Sequence, residues 1–264
     1  MNMKVIGKIA AGIVAGVLVP AVAGFVVYKT NPDGVMAFLV KSMPGNADQY
    51  APDLVEKDGG SSLRGRHILF LGSSITEGAA SCGNSFVEYL EASSGVVPMK
   101  EAVGGTTLVT VNDTSYIPRL EQVDKNLTFD AVVCQLSTND ASQNMTLGEV
   151  SSEFDKEQFD TSTVAGAIEY IIAYSSQTWS CPVIFYTNPQ YDSETYAEMV
   201  GLLLEIQKKW NIGVIDLWNN KEFNEALGDN QKLWMSDSIH PTMAGYRDWW
   251  TPEIKDCLEE YFTE

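Results

Sequence analysis

The sequence predicts an α/β protein in which a mostly parallel sheet is covered by helices on both faces. From residue 64 onward, short apolar or β-branched runs alternate with helical stretches, the pattern of parallel strands joined by crossover helices. The run Ala131–Leu136 is almost wholly apolar, as expected for a strand that is buried on both faces. A length of 264 residues suits one large α/β domain with an appendage.

Five strands and five longer helices follow from this alternation, in a three-layer α/β/α arrangement with a five-stranded sheet. The predicted strands are His67–Leu71, Val96–Ala102, Ala131–Leu136, Val183–Thr187 and Gly213–Leu217. The predicted helices are Phe86–Ser93, Ile117–Lys125, Val164–Gln177, Ser193–Trp210 and Thr242–Phe262. No internal repeat or low-complexity block interrupts the series, so residues 63–264 are assigned to one domain.

The charge is strongly acidic and unevenly distributed. The formal net charge is −18, yet residues 1–44 carry four lysines against one aspartate, so the remainder carries about −21. A body this acidic repels nucleic-acid phosphates and anionic membrane surfaces, which excludes both as direct partners of the domain. We interpret the charge as a solubilising surface.

The cysteine and glycine patterns indicate no metal and no cofactor. Four cysteines occur without a CxxC pair or a His/Cys cluster of metal-ligand spacing, so we expect neither a metal site nor a disulfide framework. The sequence leaves open whether one disulfide forms. Neither G-x-G-x-x-G nor a G-K-[ST] loop is present, which argues against a nucleotide-binding domain. The cysteines are Cys82, Cys134, Cys181 and Cys257.

The amino terminus carries an uncharged apolar stretch at residues 9–28, close to the ~20 residues that a membrane-spanning helix needs. Lys4 and Lys8 precede it and Lys29 follows, a distribution that favours a cytoplasmic amino terminus with the body outside. The Ala-Val-Ala at 21–23 is typical of a signal-peptidase site, which leaves open a secreted protein. We predict that residues 1–29 are a single-span cell-membrane anchor or a signal peptide, and that the body is extracytoplasmic.

Residues 30–62 are predicted to be a tether. They are rich in Pro, Gly, Asp and Ser and have weak periodicity, which indicates a segment that lies partly along the domain surface. Within it, Met36–Val40 has the pattern of one short helical turn.

Four polar or glycine-rich segments lie at the ends of predicted strands or just before the last helix. Gly72-Ser73-Ser74 follows the first strand, residues 104–107 (Gly-Gly-Thr-Thr) follow the second, and residues 137–140 (Ser-Thr-Asn-Asp) follow the third. The Asp-Ser-Ile-His of 237–240 precedes the last helix. In an open parallel sheet the functional groups collect beyond the carboxyl ends of the strands, so we expect these segments to meet on one rim.

Their side chains suit acyl transfer, which needs a nucleophile, a base, a group that orients the base, and donors for the oxyanion. His240 is one of two histidines, and Asp237, three residues earlier, is within reach of its ring. Ser74 would lie where a strand turns into a helix, with its hydroxyl exposed. Gly105 offers a backbone N–H and Asn139 a side-chain N–H. We predict Ser74, Asp237 and His240 as catalytic residues, and Ser74, Gly105 and Asn139 as the oxyanion hole.

In this order, the four segments resemble the conserved blocks of the SGNH/GDSL hydrolase family. The Gly-Ser-Ser-Ile-Thr of 72–76 is similar to the first block, which implies that Ser74 is the nucleophile. Gly105 and Asn139 match the glycine and asparagine of the second and third blocks, and the residues at 237 and 240 match the Asp-x-x-His of the last. The resemblance spans about residues 66–262. It implies a flavodoxin-like SGNH fold and a serine carboxylic-ester hydrolase.

The sequence departs from the family pattern at two positions. Ser73 replaces the usual Asp of the first block, and Ser137 replaces the usual Gly of the third. Neither change removes a reacting group. The Gly-x-Ser-x-Gly elbow of the α/β-hydrolase fold is absent, because Gly83–Val87 lacks the closing glycine.

Several nearby residues compete with these assignments. Ser73 and Gly104 are the neighbours that could replace Ser74 and Gly105, while Asp140 and His67 are interpreted as structural. Trp249 and Trp250 are expected to pack in the core, whereas Tyr191 and Trp234 flank the rim and are candidates to line the substrate pocket. The pocket itself is expected from the loops at 77–84, 106–116, 141–160 and 188–195.

The leading functional hypothesis is therefore an extracytoplasmic serine esterase that hydrolyses carboxylic esters. By analogy with the family, its substrates include O-acetyl groups on glycans. Two alternatives stay open: an acyltransferase that modifies cell-surface glycans, and a catalytically idle module that binds a glycan or a peptide on the same rim.

Overall fold

The computed structural model describes the backbone of residues 32–263 and side chains from residue 36 onward. The predicted anchor or signal peptide, residues 1–29, lies outside the described residues. Within 32–263, no helix is both long and apolar enough to cross a membrane. The chain divides into two compact units, with the boundary between Ser42 and Met43, and the predicted domain belongs entirely to the second.

A five-stranded, wholly parallel sheet forms the centre of the second unit and confirms the predicted fold class. Every neighbouring pair of strands is parallel, and the spatial order is β2-β1-β3-β4-β5. This order places β1 beside β3, the point where successive crossovers leave in opposite directions and where open α/β sheets bind their ligands. The strands are β1 (His67–Gly72), β2 (Val97–Ala102), β3 (Ala131–Gln135), β4 (Val183–Tyr186) and β5 (Gly213–Ile215).

Helices cover both faces of the sheet, and the strands supply side chains to each in alternation. Leu69 and Val132 pack into one apolar cluster, while their neighbours Phe70 and Val133 pack into the other. The helices are α1 (Pro32–Lys41), α2 (Ser74–Glu77), α3 (Phe86–Ser94), α4 (Tyr116–Gln122), α5 (Thr138–Ser142), α6 (Val164–Trp179), α7 (Glu194–Trp210), α8 (Lys221–Leu227), α9 (Gln231–Trp234), α10 (Met243–Gly245) and α11 (Thr251–Thr263). Helices α4, α6 and α7 lie on the first face, and α3 and α11 on the second.

Polar side chains set where the covering helices begin. Ser85 and Glu88 form a reciprocal capping box at the start of α3. Thr163 accepts a hydrogen bond from a backbone N–H in the first turn of α6, and Ser193 does the same for α7. Helix α3 ends at Gly95, whose φ of 74° lies in the left-handed region that glycine tolerates.

The helix bounds differ from the sequence prediction by one or two residues at several ends, and by more at the end of α4. Helix α4 ends at Gln122 rather than Lys125, because Val123 is already extended. The long helix predicted over 242–262 consists of α10, a π-helical turn at Tyr246–Trp250, and α11. Helices α5, α8 and α9 were not predicted; each is at most seven residues long, too short for a clear apolar period.

The segment predicted as a tether contains regular structure. Met36–Val40 lies within the ten-residue helix α1 rather than in a single turn. Beyond it, residues 44–54 form three successive 3-10 turns that belong to the same compact unit as the sheet. The buried Asn46 fastens this part, because its amide donates to the carbonyl of Ala80 and accepts from the N–H of Met243, each at 2.8 Å.

Candidate active site

The predicted nucleophile lies in the sharp turn that joins β1 to α2. Ser74 is the first residue of that single-turn helix and is 8% exposed. Its Oγ lies 2.8 Å from Nε2 of His240, although 166 residues separate them in sequence. The first residue of a helix has no intrahelical acceptor for its N–H. Within residues 32–263 the Ser74 N–H donates no hydrogen bond, so it is available to a substrate. The structure therefore brings the predicted nucleophile and base into contact.

The predicted acid and base share one tight turn between α9 and α10. His240 Nδ1 lies 2.9 Å from Oδ2 of Asp237 and 3.1 Å from its Oδ1. The same carboxylate also accepts the backbone N–H groups of Ile239 and His240, each at 2.8 Å. An antiparallel bridge between Met235 and Pro241 closes the turn. The carboxylate thus fixes both the backbone and the ring of the histidine.

These hydrogen bonds keep Asp237 ionised. Partial burial raises the pKa of its carboxyl, but the bonds from the His240 ring and from two backbone N–H groups outweigh burial and lower that pKa to about 2. An ionised carboxylate at Nδ1 favours the tautomer in which Nδ1 carries the proton. In that tautomer Nε2 can accept the proton of the Ser74 hydroxyl.

The predicted oxyanion donors other than Ser74 lie in the loop that follows β2 and in the first turn of α5. Gly105 has a φ of 78°, in the left-handed region, and is exposed, and a Cβ placed on it would meet no atom within 4 Å. Asn139, in the first turn of α5, donates one amide hydrogen to the Thr106 carbonyl at 2.9 Å. That bond joins the second loop to the third and leaves the other hydrogen of the amide for a substrate. The arrangement can offer three N–H donors, from Ser74, Gly105 and Asn139.

A buried glutamine, which the sequence prediction missed, holds the nucleophile turn. Gln135, the last residue of β3, is 1% exposed. Its Oε1 accepts the Ser73 N–H and the Thr76 hydroxyl, each at 2.9 Å. The Thr76 hydroxyl also bonds to the hydroxyl of Tyr186 on β4, at 2.6 Å. The residues on both sides of the nucleophile are therefore attached to the centre of the sheet.

A second missed residue, Arg119 on α4, joins the nucleophile strand to the second loop. Its buried guanidinium donates to the Gly72 carbonyl at 2.7 Å and to the Thr106 hydroxyl at 3.3 Å. It also donates to the carbonyls of Glu101 and Thr114. Within the described residues these acceptors are carbonyls and one hydroxyl, so a buried positive charge lies below the loops that carry the oxyanion donors.

Asp140 has the structural role that the sequence suggested. Its buried carboxylate accepts the N–H groups of Leu108 at 2.9 Å and Val109 at 3.0 Å. Burial raises the pKa of this carboxyl, and the hydrogen bonds from the backbone and from Ser137 oppose the shift. The Ser137 hydroxyl caps α5 and so gives the non-family residue at that position a local function.

The neighbouring residues that could have replaced the predicted site residues have different surroundings. The Ser73 side chain is fully buried, and its hydroxyl has no hydrogen-bond partner among the described residues. Gly104 is exposed, and a Cβ placed on it would lie 3.8 Å from Cβ of Ser74. His67 is exposed at the start of β1, with its N–H bonded to the Asp130 carboxylate. Ser74 is thus the serine of this turn whose hydroxyl meets an imidazole.

The aromatic residues near the rim belong to packed clusters. Trp249 and Trp250 are buried, as expected, and Trp234 stacks on Trp249 with ring centroids 5.8 Å apart. Tyr191 packs edge-on against Trp218 at 5.7 Å. Within residues 36–263, neither Tyr191 nor Trp234 forms a hydrogen bond to Ser74, His240 or Asp237. All four cysteines are free thiols in this structure.

Comparison with known protein families assigns this sequence to a family. The sequence model of the GDSL-like lipase/acylhydrolase family matches residues 70–247, a range that includes all five predicted site residues. No curated protein matches the sequence.

Solved structures share the fold at low sequence identity. A protein from Lactobacillus plantarum is 17% identical, with a TM-score of 0.60 over 75% of this chain and 96% of that one. A "possible lipase" from Chitinophaga pinensis is 16% identical, with a TM-score of 0.56 over 75% and 98%. A family two carbohydrate esterase from Clostridium thermocellum, solved as an active-site mutant, is 18% identical, with a TM-score of 0.52 over 74% and 64%. The extent of the family match, on this fold, shows that the chain belongs to the GDSL-like lipase/acylhydrolase family.

Proposed function

We propose that the protein is a serine esterase that hydrolyses carboxylic esters through an acyl-enzyme on Ser74. The observation that supports this most strongly is the continuous contact from the Ser74 hydroxyl through the His240 ring to the Asp237 carboxylate, at 2.8 Å and 2.9 Å. Each of the three groups occupies the position that the reaction requires of it.

In the proposed reaction, Ser74 Oγ attacks the ester carbonyl while Nε2 of His240 takes its proton. The carbonyl oxygen becomes an oxyanion that accepts hydrogen bonds from the N–H groups of Ser74 and Gly105 and from the Asn139 amide, each worth about 3–4 kcal/mol in the transition state. Asp237 stabilises the imidazolium. That imidazolium then gives its proton to the leaving alkoxide, and the alcohol departs.

Deacylation repeats these steps with water as the nucleophile. His240 takes a proton from the water, the resulting hydroxide attacks the acyl carbon, and the Ser74 oxygen leaves with the proton returned by the imidazolium. The acid is released and the enzyme is regenerated, with no group consumed from the protein.

We propose esters of bulky alcohols, including O-acetylated glycans, as substrates. Gly104 and Gly105 are exposed and His240 is only partly buried, so an acyl group could reach the nucleophile while a large alcohol stays in solvent. The similarity to a carbohydrate esterase supports the same substrate class. The apolar amino-terminal stretch supports an extracytoplasmic location, as an anchored or a secreted protein.

The first test is turnover of a short-chain aryl ester by purified protein. Ser74→Ala should abolish turnover, whereas Ser73→Ala, a matched change at the adjacent serine, should retain most of it. Retained turnover in Ser74→Ala would reject the mechanism. If the wild type instead transfers the acyl group to an added sugar in preference to water, product analysis would assign an acyltransferase on the same nucleophile. Absence of any adduct and any turnover would favour a binding module.

A further inference from the structure

Glu77 lies next to the proposed nucleophile on the same short helix. Helix α2 begins at Ser74 and ends at Glu77, so the two residues are three apart and share one face of the turn. Glu77 is partly exposed, whereas the three residues before it are buried. The helix therefore carries a carboxylate toward solvent on the side where the serine hydroxyl is presented.

The Glu77 carboxylate lies close to Gly104, which precedes the predicted oxyanion donor Gly105. A Cβ placed on Gly104 would lie 2.7 Å from Oε2 of Glu77 and 3.8 Å from Cβ of Ser74. The carboxylate oxygen and the Cβ of the proposed nucleophile thus both lie within 4 Å of one point beside Gly104, immediately before Gly105. A larger residue at 104 could not occupy that point without displacing the carboxylate.

Two cations lie near Glu77, but among the described residues neither is paired with its carboxylate. Within residues 36–263 its carboxylate forms no ion pair and no side-chain hydrogen bond. The ammonium of Lys100 donates to the Glu77 backbone carbonyl at 3.2 Å, but its ion pair is with Glu88, at 2.5 Å. The guanidinium of Arg119 also interacts electrostatically with Glu77, but its hydrogen bonds go to buried carbonyls.

We propose that Glu77 sets the charge selectivity of this site. The carboxylate disfavours esters that carry a negative group near the scissile carbonyl, and it leaves neutral and cationic esters as substrates. At a separation of roughly 6–8 Å in a partly exposed site, repulsion between two unit charges corresponds to about a 5- to 20-fold difference in kcat/KM. This inference rests on the proposed esterase function and adds a substrate class to it.

The test compares two esters that share a leaving group and differ in charge: 4-nitrophenyl butyrate and 4-nitrophenyl 3-sulfopropanoate, whose sulfonate is too weak a nucleophile to attack its own ester. The ratio of their kcat/KM values cancels effects on the chemistry that they have in common. Glu77→Gln should raise the sulfopropanoate-to-butyrate ratio about 5- to 20-fold at low salt. The matched control Glu205→Gln removes one charge from an exposed position on α7 and should leave the ratio unchanged.

A measurement on the wild type alone gives an independent check. Raising the salt concentration from about 20 mM to about 500 mM should reduce discrimination against the sulfopropanoate ester, because screening weakens repulsion across a partly exposed site. If both enzymes hydrolyse butyrate but the ratio changes neither with the substitution nor with salt, the selectivity proposal is wrong and the esterase stands. If the wild type hydrolyses neither ester and Ser74 takes no fluorophosphonate, the esterase proposal fails and this inference fails with it.

Discussion

The two halves of the candidate active site are held in place in different ways. Ser74 is 8% exposed, and its turn is fixed by Gln135, which is about 60 residues away in sequence. The Asp237 side chain is 54% exposed, and its turn is held mainly by local bonds: the N–H groups of Ile239 and His240 donate to its carboxylate, and the Met235–Pro241 bridge closes the turn. The position of the nucleophile therefore depends on the core of the domain, whereas the base depends on one local turn. Substitutions in the two halves should affect stability and activity in different proportions.

The largest effect should come from the base itself. His240→Gln should lower kcat/KM for an aryl ester about 10³- to 10⁴-fold, because the His240 ring is the side chain that hydrogen-bonds to the Ser74 hydroxyl among the described residues. Its effect on the free energy of unfolding should be small, since the ring is partly exposed. The other histidine supplies the control: His67→Gln, at an exposed position, should leave turnover unchanged. Equal losses in the two variants would contradict the assignment.

Removal of an oxyanion donor should have the next largest effect. Asn139→Ala should reduce kcat about 10²- to 10³-fold with a smaller change in KM, because the amide acts mainly on the transition state. It also removes the hydrogen bond to the Thr106 carbonyl, at a cost of about 1 kcal/mol in the free energy of unfolding. Ser142→Ala, an exposed change on the same helix, should do neither. A rise in KM with unchanged kcat would instead indicate a role in ground-state binding.

A substitution of Gln135, the buried residue that holds the turn of Ser74, should affect stability and activity together. Gln135→Leu would leave the Ser73 N–H and the Thr76 hydroxyl without their acceptor, which should lower the free energy of unfolding by about 1–3 kcal/mol. We expect kcat to fall about tenfold as the nucleophile turn loosens. Chemical denaturation and steady-state kinetics measure the two effects. Stability lost with kcat intact would show that the turn keeps its geometry without this glutamine.

The smallest effect should be the contribution of Asp237, next to the proposed base, to the pH dependence of stability. The pKa of Asp237 is lowered to about 2, so its contacts stabilise the folded state above the usual carboxyl value of about 3.9 and are lost as pH falls through about 2. The difference in free energy of unfolding between wild type and Asp237→Asn should therefore shrink between about pH 5 and pH 2. Because the carboxylate is half exposed, we expect this difference to stay below about 1 kcal/mol. A difference that grows on acidification would contradict the geometry.

The proposed catalytic groups could be predicted from the sequence, but the residues that support them could not. Ser74 and Asn139 lie in short polar segments that follow apolar strands, and the strand order brings such segments together. The Asp-x-x-His turn lies between α9 and α10, so only its residue types and spacing indicated it. Gln135 and Arg119 are ordinary polar residues within a strand and a helix. Their role depends on which carbonyls and N–H groups surround them after folding. One signal was present: Gln135 is the single polar residue in the run Ala131–Leu136.

Long-range contacts hold part of the predicted tether in a way that its composition does not reveal. Composition suggested a tether over residues 30–62, because Pro, Gly, Asp and Ser are frequent there. Composition could not show that Asn46 bonds to Ala80 and Met243, at 34 and 197 residues' distance. Two long-range hydrogen bonds from one buried amide are enough to fix a segment whose local pattern is weak.

The proposed mechanism requires that a distant imidazole activate the buried Ser74 hydroxyl, and mapping of a fluorophosphonate adduct tests this requirement directly. Mass spectrometry of the modified peptide should place a single phosphonyl group on Ser74, and His240→Gln should slow its formation by about 10³-fold or more. An adduct on Ser73, or a rate of labelling on Ser74 that does not change in His240→Gln, would contradict it.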